Sequence, residues 1–167
     1  MPRRSTLGAI IAGRRAMYIP KHFEGSENVG RQIMQAHSWA LLMTTGEDGA
    51  PFATHLSLLW QDDGSPHGAL VGHLARANAH WKLFARPAES LALFWGPHAY
   101  VSPTWYAPGV KVPTWNYVTV HAYGRPQIVE ETAGALEVLR ELARAYEGDG
   151  AEAWSLDHLP PGNAEAQ

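Results

Sequence analysis

The sequence predicts a small, mainly β domain of the α+β type, closed as a barrel and carrying a few peripheral helices. Sixteen glycines and twelve prolines in 167 residues indicate many turns between short strands. The predicted strands follow one another in meander order, and few stretches have helical periodicity. With 46% hydrophobic and 17% charged residues, the chain is typical of globular proteins and long enough to bury a core.

The first half of the chain predicts an N-terminal tail, a helix and a β-hairpin. We expect residues 1–16 to be the tail and residues 17–167 to form a single domain. Ser26 is a suitable helix N-cap, because its hydroxyl can accept a hydrogen bond from a free N–H of the first turn. The predicted elements are the helix from Ser26 to about His37, the strand Ala40–Thr45, the turn Gly46–Gly49 and the strand Phe52–Trp60.

Alternation along the strand Phe52–Trp60 separates two faces, because successive side chains of a strand point to opposite sides. One face is apolar apart from Thr54. The other face is mixed, which suits half-burial or contact with a ligand. It carries Ala53, His55, Ser57 and Leu59.

The second half predicts further strands, a short helix and one long helix. Leucines at helical spacing make the long helix amphipathic. The predicted elements are the polar turn Gln61–Gly68, the strand Ala69–Leu74, a helix over about Ala79–Ala85, the strands Leu91–Trp95, Tyr100–Ser102 and Thr114–Tyr123, and the helix Thr132–Tyr146.

The block Pro97–Gly124 holds six aromatic rings, two histidines and four prolines. Two interpretations stay open from the residues alone: an aromatic-rich β-core, or a groove that grips a flat ligand with polar edges. Within its long strand, alternation places Trp115, Tyr117, His121 and Tyr123 on one face. Asn116 lies on the other face.

Residues 72–82 are the strongest candidate for an anion site. A predicted strand ends there, Arg76 follows, and Asn78 can cap a helix whose free N–H groups favour a phosphate. Arg76 can bind two phosphate oxygens at once, and Lys82 adds a second positive charge. The alternative is a capped helix with two solvent-exposed cations.

Composition and motifs argue against several other classes of protein. The absence of cysteine excludes disulfides and thiolate chemistry, and a net charge of −3 argues against a large nucleic-acid surface. The uncharged stretch Ser90–Val110 is interrupted by prolines and glycines, so we expect no membrane span. The N-terminal segment has no A-x-A-like cleavage site of a secretory signal, and we expect a cytoplasmic protein. The sequence has no H-E-x-x-H or G-x-S-x-G motif, and we predict no metal site.

Four segments together resemble one family, the FMN-binding negative transcriptional regulators, or PaiB-like proteins. They occur in the family's order and span about residues 17–125. The segments are MYIPKHF at Met17–Phe23, GHLARANAHWK at Gly72–Lys82, GPHAYVSPTWY at Gly96–Tyr106 and VPTWNYVTVHAYG at Val112–Gly124.

The resemblance implies an FMN-binding split β-barrel, related to the pyridoxamine-phosphate-oxidase-like flavoproteins, and a homodimer with FMN near the subunit interface. It implies that the strand around Thr54 runs beside the flavin and that the segment after Gly72 holds the phosphate. The implied FMN-binding residues are Thr54, His55, Leu56, Ser57, His73, Arg76, Asn78, His80, Trp81, Lys82, Trp105, Lys111, Trp115 and Asn116.

Two departures from the family pattern accompany this resemblance. The usual Ala-Asn-Pro reads Ala77-Asn78-Ala79, and the chain stops at Gln167, before a further strand and a Lys-Ser-Gln-Asn-like segment. Three functional hypotheses follow. The first is an FMN-binding regulator or redox sensor, for which direct DNA contact is not supported by the residues. The others are an FMN-dependent oxidoreductase and, given the shorter C-terminus, a small-molecule binder without flavin.

Overall fold

The computed structural model describes residues 18–109 and 112–160, together with the backbone of residues 7–8. These residues form six strands, two α-helices and several short 3-10 helices. The strands are β1 (Leu7–Gly8), β2 (Trp39–Thr45), β3 (Pro51–Gln61), β4 (Ala69–Gly72), β5 (Ser90–Val101) and β6 (Thr114–Gly124). The α-helices are α1 (Glu27–Ala36) and α2 (Thr132–Glu147), and the 3-10 helices are Lys21–Phe23, Ala79–Ala85, Pro103–Trp105 and Leu156–His158.

The six strands make one antiparallel sheet in the order β1-β4-β3-β2-β5-β6. β2, β3 and β4 form the predicted meander, and β5 pairs with the free side of β2. The edge strands β1 and β6 lie against each other, so the sheet curves toward closure. The fold is the mainly β split barrel that the sequence predicts. β1 falls within the predicted tail.

The core lies on one face of this sheet and follows the predicted period of two. On β3, Leu56 and Leu58 are buried, whereas His55 on the opposite face is exposed. Helix α1 contributes Met34, which is 3% exposed. The buried cluster consists of Met34, Ala40, Leu42, Leu56, Leu58, Leu70, Ala92, Phe94 and Ala122.

Helix α1 begins where the sequence predicts. The Ser26 hydroxyl accepts a hydrogen bond from the Val29 backbone N–H at 3.4 Å. Arg31 of α1 reaches the loop between β3 and β4, donating to the Pro66 carbonyl at 2.9 Å and lying 5.0 Å from the Trp60 ring centroid. These contacts hold α1 beside the barrel.

Gly72 marks the point where β4 leaves β3. A Cβ atom at this position would come within 2.6 Å of Leu58 Cδ2 and 2.7 Å of the Ser57 carbonyl oxygen. The close approach of the two strands therefore requires glycine. β4 ends here rather than at Leu74, and the chain from residue 73 is free to run toward the hairpin end of β3.

Two predicted elements differ in kind from those observed. The sequence predicts separate strands at Leu91–Trp95 and Tyr100–Ser102, but β5 runs continuously over Ser90–Val101. A register shift between Trp95 and His98 absorbs Pro97, which has no N–H to donate. The helix Ala79–Ala85 has the predicted bounds, but it is a 3-10 helix.

Helix α2 packs beside the barrel with its apolar side chains half-buried. Gln61 of β3 donates to Glu141 at 2.6 Å, and the Tyr146 hydroxyl hydrogen-bonds to Ser38 at 2.5 Å and also to Ser57. Near the C-terminal end of the described chain, Leu156 is buried, Leu159 half-buried and Trp154 exposed. Within the described ranges, neither α-helix is long and apolar enough to cross a bilayer.

Candidate functional site

Arg76, Trp81 and Lys82 converge on one surface of the chain that follows β4. The Arg76 guanidinium carbon lies 4.5 Å from the centroid of the Trp81 ring, and Lys82 Nζ lies 5.9 Å from the same centroid. The Trp81 indole N–H donates to the Arg76 carbonyl at 3.0 Å, which fixes the ring. We call residues 76–82 the cation segment.

The 3-10 helix Ala79–Ala85, which begins within the cation segment, does not supply the helix dipole predicted to attract a phosphate. Its N-cap is Asn78 as predicted, with the side-chain oxygen accepting from the His80 backbone N–H at 3.0 Å. However, this helix has seven residues and 3-10 geometry, so it offers no extended row of aligned peptides. The attraction for an anion must therefore come from Arg76 and Lys82. Neither has a carboxylate partner within the described part of the chain.

His80 anchors the cation segment to the sheet from inside the barrel. Its side chain has no exposed surface, and its two ring nitrogens lie 2.8 Å from Thr54 Oγ1 and 2.9 Å from Thr44 Oγ1. Thr44 Oγ1 lies 2.5 Å from Ser90 Oγ, also buried. Burial lowers the pKa of His80 below its ordinary value of 6.5, so the ring is neutral at pH 7.

Three rings lie close together on the outer face of the sheet. The His55 ring centroid is 6.3 Å from that of Trp39 and 6.5 Å from that of Trp95, with interplanar angles of 19° in both cases. β2 pairs with both β3 and β5, which places these side chains over three neighbouring strands. Trp39 is 62% exposed, so the face is open.

The β5–β6 hairpin continues this open face. The Trp115 ring stacks on His98 at 5.9 Å and tilts against Tyr100 at 6.2 Å. Trp95, His98, Trp115 and Tyr117 line an open cavity of about 310 Å³ together with two β6 neighbours. We use the name open aromatic face for Trp39, His55, Trp95, His98, Trp115 and Tyr117.

The structure separates the predicted site residues into groups. Arg76, Asn78, Trp81 and Lys82 lie in the cation segment, and His55 and Trp115 lie on the open aromatic face. Asn116 is exposed on β6, and Trp105 is exposed in the 3-10 helix Pro103–Trp105. His73 is half-buried just after β4. Lys111 lies outside the described residues.

The other predicted residues face inward or bind protein groups. Leu56 belongs to the core, and the Ser57 hydroxyl is hydrogen-bonded to Tyr146 of α2. Thr54 is half-buried and accepts a hydrogen bond from Asn78 Nδ2 at 3.2 Å, and His80 is fully buried. Their side chains therefore support the candidate site through contacts with other parts of the protein.

Sequence reasoning missed residues that become neighbours only through strand pairing. Trp39 and Trp95 join His55, and Thr44 and Ser90 join His80, although each pair is far apart in sequence. The outward alternation of β2 is a signal that could have found Trp39. Nothing in the local sequence indicates the Thr44–Ser90 contact.

His121 adds a second perturbed histidine, on β6. Burial lowers its pKa below 6.5, and its ring centroid lies 6.5 Å from that of Tyr123. Within the described ranges, no three His, Asp or Glu side chains come together as metal ligands would.

Residues 17–167 match the family described as "Putative FMN-binding domain". The chain is 38% identical over 157 residues to "Protease synthase and sporulation protein PAI 2" of Bacillus subtilis. The match covers 90% of this chain and 72% of that protein. It is also 29% identical over 136 residues to an uncharacterized protein of Saccharomyces cerevisiae, covering 69% of this chain and 80% of the yeast protein.

A solved structure shares the fold. It is titled as a "putative 5-nitroimidazole antibiotic resistance protein" from Bacteroides thetaiotaomicron. The TM-score is 0.60 with 13% sequence identity, and the match covers 76% of this chain and 70% of that one. At this identity the similarity concerns the fold alone.

Proposed function

Because the chain belongs to the FMN-binding family whose domain spans residues 17–167, we propose that it works as a homodimeric, FMN-dependent regulator or redox sensor. One observation carries the proposal: the cation segment is fastened to β3 beside an open aromatic face. Asn78 binds Thr54, and the next residue, His55, lies on that face. Thr54 faces the buried His80 and His55 faces the outer surface, so the cation segment and the open aromatic face meet at neighbouring residues on opposite faces of β3.

The residues present fit FMN. Its phosphate needs cationic donors, and Arg76 and Lys82 supply two charges without a carboxylate to neutralise them in the described chain. Its flat ring system needs aromatic contact and polar edges, which Trp115 and His55 offer. FMN would supply reversible hydride or electron transfer, and the protein supplies orientation and exclusion of water.

We assign roles to the predicted residues accordingly. Arg76 and Lys82 hold the phosphate, and Trp81 orients Arg76. His55 and Trp115 line the ring side, and Asn116 contributes from the opposite face of β6. The remaining proposed contributors are His73, Trp105, Lys111, Thr54, Leu56, Ser57, Asn78 and His80.

A second copy of the chain is the occupant we propose for the open aromatic face. Trp39, Trp115 and Tyr117 are each more than half exposed, which is costly for a monomer in water. Aromatic residues are enriched at protein–protein interfaces. Pairing two such faces would bury these rings and enclose the flavin between subunits.

The regulatory role is supported by the name of the Bacillus relative, which refers to protease synthase and sporulation. Direct contact with DNA is not favoured by the charge distribution. The net charge is −3, and the basic residues of α2 alternate with Glu137 and Glu141, with Arg140 lying 3.9 Å from Glu137. We therefore propose that regulation acts through a change in protein contacts.

A flavin-dependent oxidoreductase is the second candidate function. The cavity of about 310 Å³ beside Trp95 and Trp115 has space for part of a second planar molecule. Turnover of NAD(P)H by the FMN-loaded protein, measured by the loss of absorbance of the reduced nicotinamide, would favour this alternative over the regulator.

The first experiment measures FMN uptake. The purified protein should be yellow or should quench FMN fluorescence at micromolar concentration, and mass spectrometry should identify the released ligand as FMN. Arg76→Gln should weaken binding tenfold or more, because a hydrogen bond to a charged group contributes about 1.5–3 kcal/mol. Arg86→Gln is the matched control, since Arg86 is an exposed cation just after the same 3-10 helix.

Three outcomes separate the hypotheses. Absence of FMN uptake by the wild-type protein would contradict both flavin-dependent functions and leave a binder without flavin. Equal losses of FMN affinity in Arg76→Gln and Arg86→Gln would contradict a specific phosphate-binding role for Arg76. A loss of FMN affinity in Arg76→Gln alone supports the proposed site.

A further inference from the structure

A chain of hydrogen bonds links the cation segment to three strands. Its direction can be worked out from Asn78, whose side-chain oxygen accepts from the His80 backbone N–H. The Asn78 amide nitrogen must therefore be the group that donates to Thr54 Oγ1 at 3.2 Å. Thr54 is thus an acceptor from Asn78, and its own hydroxyl hydrogen is available for His80.

The contacts of Thr54 favour one tautomer of His80. With the Thr54 hydroxyl donating to Nδ1 at 2.8 Å, the single hydrogen of the neutral ring sits on Nε2 and is donated to Thr44 Oγ1 at 2.9 Å. Thr44 Oγ1 is also hydrogen-bonded to Ser90 Oγ at 2.5 Å. The opposite tautomer would leave the Thr54 hydroxyl hydrogen without an acceptor among the contacts described.

The four side chains that contact the His80 ring in the described part of the chain are uncharged. Thr44 and Thr54 face its nitrogens from β2 and β3, and the ring centroids of Phe52 and Phe84 lie 4.8 Å and 5.2 Å away. A second proton on the imidazole would have no carboxylate to pair with among these neighbours. It would also turn Nδ1 from an acceptor into a donor and break the chain at Thr54.

We propose that His80 is a positioning residue of the FMN site, neutral and protonated on Nε2, which fixes the cation segment through Thr54, Thr44 and Ser90 without touching the ligand. This inference rests on the proposed function for its effect on FMN. The tautomer itself does not depend on FMN. Thr44 is the informative partner, because it is 3% exposed and lies on the far side of His80 from Thr54.

The test compares Thr44→Val with Thr44→Ser. Valine has the shape of threonine but removes the acceptor for Nε2–H, whereas serine keeps the hydroxyl. We expect Thr44→Val to weaken FMN binding about tenfold, the effect of one hydrogen bond, and Thr44→Ser to restore affinity to within about twofold of wild type. Leu42→Val, a small core change on the same strand, is the control for loss of stability and should leave the affinity of the folded protein unchanged.

A second readout needs no FMN. The chain has nine histidines, so the His80 signal in the nitrogen-15 NMR spectrum of the FMN-free protein is identified as the one that His80→Gln removes. In wild type and Thr44→Ser this signal should be that of a neutral ring protonated on Nε2. A His80 ring protonated on Nδ1, or a cationic His80 ring at pH 7, would overturn the proposal. If wild type binds FMN and Thr44→Val binds it equally well, the positioning role fails while the proposed function stands.

Discussion

At the residue scale, Arg76 is held by a ring rather than by a carboxylate. Its guanidinium lies over Trp81, whose indole N–H is itself fixed to the Arg76 carbonyl. A carboxylate would neutralise the charge, whereas stacking orients the plane and leaves the in-plane N–H donors available. The positive charge therefore remains available to a phosphate.

His80 and His121 make the stability of the fold sensitive to pH. Burial lowers the pKa of both below the ordinary 6.5. Well above pH 6.5 each ring is neutral in the folded and the unfolded chain. As the pH falls through 6.5, the unfolded chain takes up protons first, so the free energy of unfolding must fall, by at most about 1.4 kcal/mol per pH unit for each histidine. Urea unfolding from pH 7.5 to 5 should show this decline.

Two variants assign the decline to these residues. His80→Gln and His121→Gln should each flatten the slope between pH 7 and 5, whatever they do to stability at pH 7.5. The carboxyl groups of Glu27 and Asp63, whose pKa values hydrogen bonds lower, lose their contribution only at more acidic pH. An unchanged slope in both variants would contradict the neutral state assigned to the two rings.

At the element scale, α2 divides the outer surface of the sheet. Its contacts with Gln61 and Ser57 cover the C-terminal half of β3, whereas His55 on the same side of the strand remains exposed. Tyr146 sits at this boundary and joins Ser57 to Ser38. The helix therefore limits the open aromatic face on one side.

Tyr146→Phe should loosen the last turn of α2 without disturbing the barrel. The loss of the hydroxyl should lower the free energy of unfolding by about 0.5–1 kcal/mol, the lower range for a hydrogen bond because the side chain is largely exposed. Hydrogen exchange of backbone amides over residues 143–147 should accelerate. Tyr18→Phe is the control, since Tyr18 is 88% exposed; equal acceleration in that variant would contradict the anchoring role.

The sequence predicts these elements and their faces better than it predicts which side chains of different elements come into contact. The alternation of β3 and the bounds and N-cap of the helix Ala79–Ala85 are local, and both are confirmed. The convergence of Trp39, His55 and Trp95 depends on the register of β2 with two partners, one of them about fifty residues away.

At the scale of the whole molecule, one face of the sheet buries its apolar side chains and the other face leaves aromatic side chains exposed. The inner face buries a continuous core, but the outer face of β2, β5 and β6 presents several aromatic rings to water. In the described chain, α2 contacts β3 and β4 and reaches Ser38, just before β2, through Tyr146. This asymmetry is the physical reason to expect a dimer, because burying apolar surface contributes roughly 25 cal/mol per Å².

Trp115→Ala tests the dimer directly. Trp115 is 54% exposed and packs on His98 and Tyr100, so it is placed to act as an interface anchor. Its loss should raise the dimer dissociation constant roughly 30-fold or more, the effect of removing a contact of about 2 kcal/mol, as measured by sedimentation equilibrium. Trp154→Ala is the matched control, because Trp154 is 45% exposed and lies near the C-terminal end of the described chain.

FMN affinity distinguishes an interface role from a ligand contact. If the flavin lies between subunits, FMN binding by Trp115→Ala should be weak at low protein concentration and should recover as the concentration rises, because dimerisation and FMN binding are linked. Weak FMN binding at every concentration would indicate that Trp115 contacts only the flavin. A wild-type protein that sediments as a monomer at tens of micromolar, with and without FMN, would show that the aromatic face has another occupant.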